Sequence, residues 1–267
     1  MTAQTRSEIA GLLSRHGLSP SKRLGQHFLA DANITRKIVD LSGVGPGDQV
    51  VEVGAGTGTL TRALAATGAR VVAYEIDAGL LPVLEEVTRG LPVDLRSLDI
   101  TDVELGADLG DGRWVMVANL PYNVGTPLLM DALRRAPQIH RFVVMIQREV
   151  AERLVAGPGS KQYGLPSVIV GIHTRARLAF RVPAQVFYPA PKVESAVVVL
   201  DRVPSPDESK RAIEIAATAF NQRRKMLRGS LAGKFDDAGT ALEAAGIDPT
   251  SRAEDLSPED YLTLARS

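Results

Sequence analysis

No cysteine occurs anywhere in the 267 residues. Disulfide frameworks, thiolate metal sites and a cysteine nucleophile are excluded together. The same absence narrows group-transfer chemistry. Reactions that need covalent attack by a cysteine thiolate are closed to this chain. Net charge is lacking as well: Lys+Arg and Asp+Glu number 31 each, so a nucleic-acid partner must be held by local basic patches. No apolar run approaches the roughly 20 residues that cross a bilayer. The opening MTAQTRSEIAGLLSRHG has no signal-peptide core, and a cytoplasmic location is expected. Internal repeats and low-complexity segments are also missing.

The composition itself is that of an ordinary globular chain, 45% hydrophobic and 23% charged. This length suits one α/β domain with a smaller appendage. Short β-rich runs at 49–53 (QVVEV), 70–76, 92–100, 114–120 and 141–147 alternate with helical spacing, as in TLTRALAATG and TPLLMDALRR. Such alternation predicts an open, doubly wound, mainly parallel sheet. RARLAFRV and KVESAVVVL follow as strands suited to the far edge, with GPGSKQYG as a loop. From Pro204 onward the pattern is helical, and DLSPEDYL opens on a Ser-Pro helix start. The expected domains are 1–202, with 1–30 as a basic N-terminal segment, and a helical domain over 203–267.

Chemistry concentrates where strands end. Val53-Gly54-Ala55-Gly56-Thr57-Gly58 follows the first long strand, and Glu75 lies 21 residues beyond Gly54 at the end of the next. Glycines let the backbone approach a cofactor, and the acid can accept both hydroxyls of a ribose. These residues alone also admit NAD. Asn119-Leu120-Pro121-Tyr122-Asn123, after the fourth strand, opens onto the same crevice. The Asn119 amide oxygen and an adjacent carbonyl can accept from an exocyclic amino group, Pro121 fixes the turn, and Tyr122 offers a ring for stacking. Adenine fits that clamp. His140 and His173 are read as structural.

On Lys22–Leu29 (KRLGQHFL), the Gly54 loop, Glu75, Asp99, Asn119–Asn123, Gln147–Leu154, SKQYG, Phe187–Ser195, Phe220–Leu227 and GIDPTSRAEDLSPEDYL, the chain resembles the ribosomal RNA adenine dimethyltransferase family end to end. It is most similar to the bacterial small-subunit branch. The resemblance implies a Rossmann-like S-adenosylmethionine-dependent methyltransferase sheet and a small C-terminal all-helical domain that binds rRNA. It implies cofactor contacts from His27, Leu29, Gly54, Glu75, Asp99 and Asn119, with Asp99 accepting from the cofactor's adenine. Asn119, Leu120, Pro121, Tyr122 and Phe187 form the implied catalytic pocket. Phe187 there faces Tyr122 across the flipped base; the alternative is that Phe187 packs in the core and Tyr188 is the open ring. The implied substrate is two adjacent adenosines near the 3′ end of 16S rRNA in the 30S subunit, each methylated twice on N6 late in assembly, by a monomer that needs no metal. Lys22, Arg23, Arg223, Arg224 and Lys225 are the expected phosphate anchors. The competing readings are the related large-subunit resistance methyltransferase, an assembly factor for which methylation is the release step, and an NAD oxidoreductase. The sequence departs from the family at His27, where Asn is frequent, and in the GAGTG loop, where a proline and a larger residue are frequent.

Overall fold

The computed structural model of the chain describes residues 4–121 and 124–267. It divides into two compact units, one formed by the chain up to Ala151 with Arg177–Asp201, the other by Glu152–Ala176 with Arg202–Ser267. In chain order the first elements are α1 (Arg6–Arg15), β1 (Phe28–Leu29), α2 (Ala32–Ser42), β2 (Gln49–Val53), α3 (Thr59–Ala65), β3 (Arg70–Glu75), α4 (Leu81–Thr88) and β4 (Val93–Ser97). Next come α5 (Leu105–Leu109), β5 (Trp114–Asn119), α6 (Gly125–Arg135), β6 (Ile139–Gln147), α7 (Arg148–Leu154) and α8 (Leu165–His173). The chain ends with β7 (Thr174–Val182), β8 (Phe187–Tyr188), β9 (Ser195–Arg202), α9 (Ser209–Asn221), α10 (Leu227–Ser230), α11 (Ala238–Ala244) and α12 (Pro258–Arg266).

Seven strands form one sheet in the order β4-β3-β2-β5-β6-β9-β7. The pairs from β4 to β6 are parallel, and β9 runs antiparallel to β6. The fold is therefore an α/β Rossmann-like sheet, with the two late strands at its far edge as expected. Parallel strands covered on both faces need apolar residues at consecutive positions, and Val50, Val51, Val71, Val72, Val115, Met116 and Val117 are all buried. Trp114, the only tryptophan, is buried at the start of β5 beside a register shift against β6. Among the described residues no helix is long and apolar enough to cross a membrane.

The helical unit takes in an earlier piece of chain than residue 203. Tyr163, Val168 and Ile172 share a buried cluster with Ile215, Leu227, Leu242, Tyr261 and Leu264. The reason lies in α8, whose LPSVIVGIH is apolar nearly all round and needs helices to cover it. Tyr163, inside the SKQYG segment, packs edge-on against Phe220 and donates to the Leu256 carbonyl at 2.8 Å. Tyr261 closes the same cluster and donates to the Ala253 carbonyl at 2.8 Å. Ser257 caps α12 in a reciprocal box with Asp260.

The α8–α12 crossing is close because residue 171 has no side chain. A Cβ there would stand 2.5 Å from Cγ of Pro258 and 3.3 Å from its Cβ, on a ring that cannot swing away. Gly171→Val is expected to destabilise the helical unit by about 1–3 kcal/mol, against the helix propensity that disfavours glycine. Urea unfolding followed by circular dichroism checks this; an unchanged or higher midpoint would contradict it.

Candidate active site

The order of the parallel strands reverses between β2 and β5, and a crevice opens beyond their carboxyl ends, where such sheets bind ligands. Gly54, Gly56 and Gly58 at the end of β2 have φ of 75°, 60° and 79°, a region that favours glycine. Space reinforces the demand: a Cβ on Gly56 would meet the Phe28 ring at 2.9 Å, and one on Gly58 would meet Val87 at 2.6 Å. The loop is tethered to β3 by the Gly54 and Ala55 N–H groups, which both donate to the Tyr74 carbonyl at 2.9 and 3.2 Å. So turned, the Gly56 N–H donates to one oxygen of Glu75 at 2.7 Å, while the Asp77 N–H donates to the other at 2.9 Å.

Glu75 is buried, and loss of solvent pushes its carboxyl above the usual carboxylate range, against the lowering effect of the Asp77 and Gly56 N–H bonds. Glu52, wholly buried in β2, is pushed up to about 8 chiefly by burial, with the Glu75 charge adding to it.

Two adjoining recesses share Leu24, Gly54, Ile76 and Pro121. The first, of about 530 Å³, is lined also by Gln26, His27, Glu75, Asn119 and Leu120. The second, of about 740 Å³, adds Arg23, Tyr74, Leu98, Asp99 and Val124. Ile76 and Leu98 are 48% and 47% exposed, two of the four large apolar side chains so exposed among the described residues. Uncovered apolar surface beside a carboxylate suits a flat ring carrying an amino group. Asp99 supplies that carboxylate: Thr101 donates to one of its oxygens from both its hydroxyl (2.7 Å) and its N–H (2.9 Å). These bonds hold the Asp99 carboxyl below its usual value.

Asn119, at the end of β5, donates its amide N–H to the His27 carbonyl at 3.0 Å. Only the NH2 end of an amide can donate to a carbonyl, so the orientation is fixed and Oδ1 is left as an acceptor. The His27 ring is itself bonded, Nδ1 to the Pro189 carbonyl at 2.7 Å. Behind it, β1 and β8 pair antiparallel, Phe28 opposite Tyr188 and Leu29 opposite Phe187. The Leu120 N–H donates to Met145 at 3.0 Å, and the Pro121 carbonyl accepts from Gly125 at 2.8 Å at the start of α6.

The recesses thus bring together His27, Gly54, Glu75, Asp99, Asn119, Leu120, Pro121 and Arg23. Leu29 is not among their lining side chains; it is 4% exposed in the core, which leaves only its backbone for a cofactor. Phe187, expected to face Tyr122 across the base, lies in the core position that the alternative reading gave it. Phe187 is 0% exposed and packs with Val182, Val197 and Leu29, while Tyr188 is the partly exposed neighbour. Tyr122 and Asn123 lie outside the described residues. Lys22 and Arg23 are exposed on the turn before β1, and Arg224 and Lys225 on the turn before α10. Arg223 differs, because its guanidinium is bonded to Glu254 at 2.7 Å and to the Lys161 carbonyl at 3.1 Å. Sequence reasoning missed Ile76, Leu98 and Gln26. The signal for the first two was their adjacency to Glu75 and Asp99; Gln26, which donates to Asp77 at 2.7 Å, was signalled only by its place in the KRLGQHFL motif.

Comparison with known proteins settles which nucleotide-like cofactor this crevice serves. The family model for ribosomal RNA adenine dimethylase matches residues 18–267. The chain belongs to the ribosomal RNA adenine dimethylase family. It is accordingly an S-adenosylmethionine-dependent rRNA adenine dimethyltransferase. Ribosomal RNA small subunit methyltransferase A of Leifsonia xyli is 45% identical, over 97% of this chain and 96% of that protein. The protein of the same name from Phenylobacterium zucineum is 46% identical over 99% and 94%. Among solved structures, a dimethyladenosine transferase from Plasmodium falciparum shares the fold with TM-score 0.76 at 23% identity, covering 89% of this chain and 96% of that one. The 23S rRNA methyltransferase ErmE superposes with TM-score 0.71 at 26% identity, covering 90% and 98%.

The dimethylase's recesses fit the cofactor by donor set: a buried carboxylate for ribose hydroxyls, a second for an adenine amino group, and apolar walls between them. With Glu75 as the expected acceptor of the ribose hydroxyls, affinity is expected to be full above the Glu75 pKa of the free enzyme and to fall as pH drops through it. Burial raises that pKa, so the loss is expected to begin above the range of an ordinary Glu. Calorimetry of S-adenosylmethionine across pH checks this. Glu75→Gln should bind weakly at every pH, and a Glu75→Gln protein that keeps the parent's affinity would exclude the role.

Proposed function

We propose that this dimethylase transfers methyl groups to N6 of two adjacent adenosines near the 3′ end of 16S rRNA, within the 30S subunit and late in its assembly, giving N6,N6-dimethyladenosines. The reading rests on the fixed amide of Asn119 at the mouth of the crevice. Its small-subunit target is supported by relatives that carry that name at about 45% identity, against 26% for the large-subunit enzyme ErmE. A soluble cytoplasmic monomer is the state in which we expect it to act.

S-adenosylmethionine supplies an electrophilic methyl group from its sulfonium centre. The protein's task is to hold N6 in line with that group at near-attack distance. Adenine N6 is a poor nucleophile because its lone pair is delocalised into the ring. Acceptance of its two N–H bonds by Asn119 Oδ1 and the Leu120 carbonyl favours a pyramidal nitrogen and stabilises the positive charge that develops on it. The proton is acidic once nitrogen is quaternised and leaves to water, so no general base is needed beforehand. Pro121, bonded into the start of α6, keeps the turn fixed, and Tyr122 supplies the stacking face that offsets removal of the base from its stack. Phe187 contributes as packed support behind Leu29. Glu75, Gly54 and His27 hold the ribose and methionine side, and Asp99 the adenine.

Asn119→Ala is expected to leave cofactor and RNA binding nearly intact and to lower turnover by about two to four powers of ten. Single-turnover rates on 30S particles, with 50S particles as the control substrate, test site and target together. Near-parent rates in the variant would remove Asn119 from the mechanism, and preferential methylation of 50S would overturn the subunit assignment.

Phosphate anchoring divides between the cations according to their partners. Lys22, Arg23, Arg224 and Lys225 are the proposed phosphate contacts, whereas Arg223 is already committed to Glu254. Arg224→Gln with Lys225→Gln should flatten the salt dependence of 30S binding by about 0.7–0.9 log units of slope per lost contact. Arg223→Gln should lower the melting temperature of the protein with little change in that slope. Parallel salt plots for the parent and the double variant would refute the anchor role.

A further inference from the structure

The glycine loop that orients Glu75 is gripped from outside the matched family span. Gln4 lies ahead of residue 18, where that span begins, yet it is 5% exposed and packed against Thr57 and Thr59, which are 2% and 5% exposed. Its amide is used at both ends. Nε2 donates to the Thr57 carbonyl at 2.8 Å, and Oε1 accepts from the hydroxyls of Thr57 and Thr59, each at 2.8 Å. Three buried polar groups, two on the loop and one on the first residue of α3, are thus satisfied by one side chain more than 50 residues away in sequence.

The amide is held in place by its own element. Thr5 caps α1 in a reciprocal box with Glu8. Ile9, Leu12 and Leu13 bury the helix against Phe28, Leu80 and Val83, and the Arg6 guanidinium bonds the Gln185 carbonyl. Gln4 therefore reaches the loop from a helix packed against both Phe28, which bounds Gly56, and α4, which bounds Gly58. Thr57 is the residue immediately after Gly56, whose N–H meets Glu75 at 2.7 Å.

We propose that Gln4 is a positioning residue for the cofactor, a clamp on the Gly54–Gly58 loop that fixes the Gly56 N–H and through it the Glu75 carboxylate. The inference rests on the reading of Glu75 as the ribose acceptor. It also accounts for threonine at position 57 in the departing GAGTG loop, because an apolar residue there would leave Oε1 of Gln4 without one of its two donors.

The test is calorimetry of S-adenosylmethionine with the full chain, its Gln4→Ala and Thr57→Val variants and their double variant, with steady-state kinetics on 30S particles in parallel. Each single change is expected to raise the cofactor Kd and KM by about tenfold, with turnover at saturating cofactor within about threefold of the parent and 30S affinity unchanged. The double variant should be little worse than either single one, because both act on the same bonds. The cofactor-induced rise in melting temperature should shrink correspondingly. A lower melting temperature with unchanged Kd would mean a merely structural contact and overturns the proposal, as does strict additivity. Should Gln4→Ala fail to fold, Thr59→Val, which removes one bond and leaves the amide in place, is expected to raise Kd about threefold; an unchanged Kd overturns the proposal. Failure of the parent itself to bind would bring down the cofactor-site reading as well, whereas a binding parent with indifferent variants removes the clamp alone.

Discussion

A single hydrogen bond, from the Gly56 N–H to Glu75, is the contact around which the crevice is organised. A carboxylate taken out of water is costly unless donors replace the lost hydration, and Glu75 has one backbone donor on each oxygen. For Gly56 to be one of them, the chain leaving β2 must turn back through three left-handed residues while staying bonded to the Tyr74 carbonyl. That requirement fixes the glycines. Their lack of side chains then lets Phe28 and Val87 close on the loop. Burial raises the carboxyl of Glu52, in the strand that leads into the loop, and the Glu75 charge adds to that rise.

Asn119, the proposed acceptor of the substrate amino group, is joined to this assembly through His27. His27 takes the Asn119 amide on its backbone carbonyl and gives its ring to the Pro189 carbonyl. The β1–β8 ribbon carries both residues' neighbours, Phe28 and Leu29 on one strand and Phe187 and Tyr188 on the other. Asn119, His27 and Pro189 are thus parts of one hydrogen-bonded unit, and the bond toward Asn119 uses the backbone of residue 27 and not its side chain.

The sheet was legible because parallel strands leave a strong trace, consecutive apolar residues ending in glycine, acid or amide. β2 coincides with QVVEV, and β5 and β9 fall where their valines cluster. The two-residue strands β1 and β8 left no periodicity to read, and α8 was missed because an apolar helix inside a bundle has no polar face to betray its period. At the site, Gly54, Glu75 and Asn119 were readable from their place at strand ends, whereas Asp99, two residues past β4, entered only through the family resemblance. Phe187 was not: an aromatic beside Tyr188 fits a core or a ligand pocket equally well by pattern, and only packing separates the two. Arg223 shows the same limit for charge, since its partner Glu254 lies 31 positions away in sequence. SKQYG and RAEDLSPEDYL, two of the segments that carry the family resemblance, serve as aromatic core and helix cap in the helical unit.

The placement of Trp114 gives the molecule a built-in division of optical signals. The only indole is buried at the foot of β5 in the sheet unit, whereas the helical unit carries Tyr163 and Tyr261, both buried, and no tryptophan. Emission excited at the red edge of the absorption band therefore follows melting of the sheet alone. Near-ultraviolet tyrosine absorbance draws additionally on the helical bundle, so non-coincident transitions would reveal stepwise loss of order in a chain that a single probe would report as all-or-none.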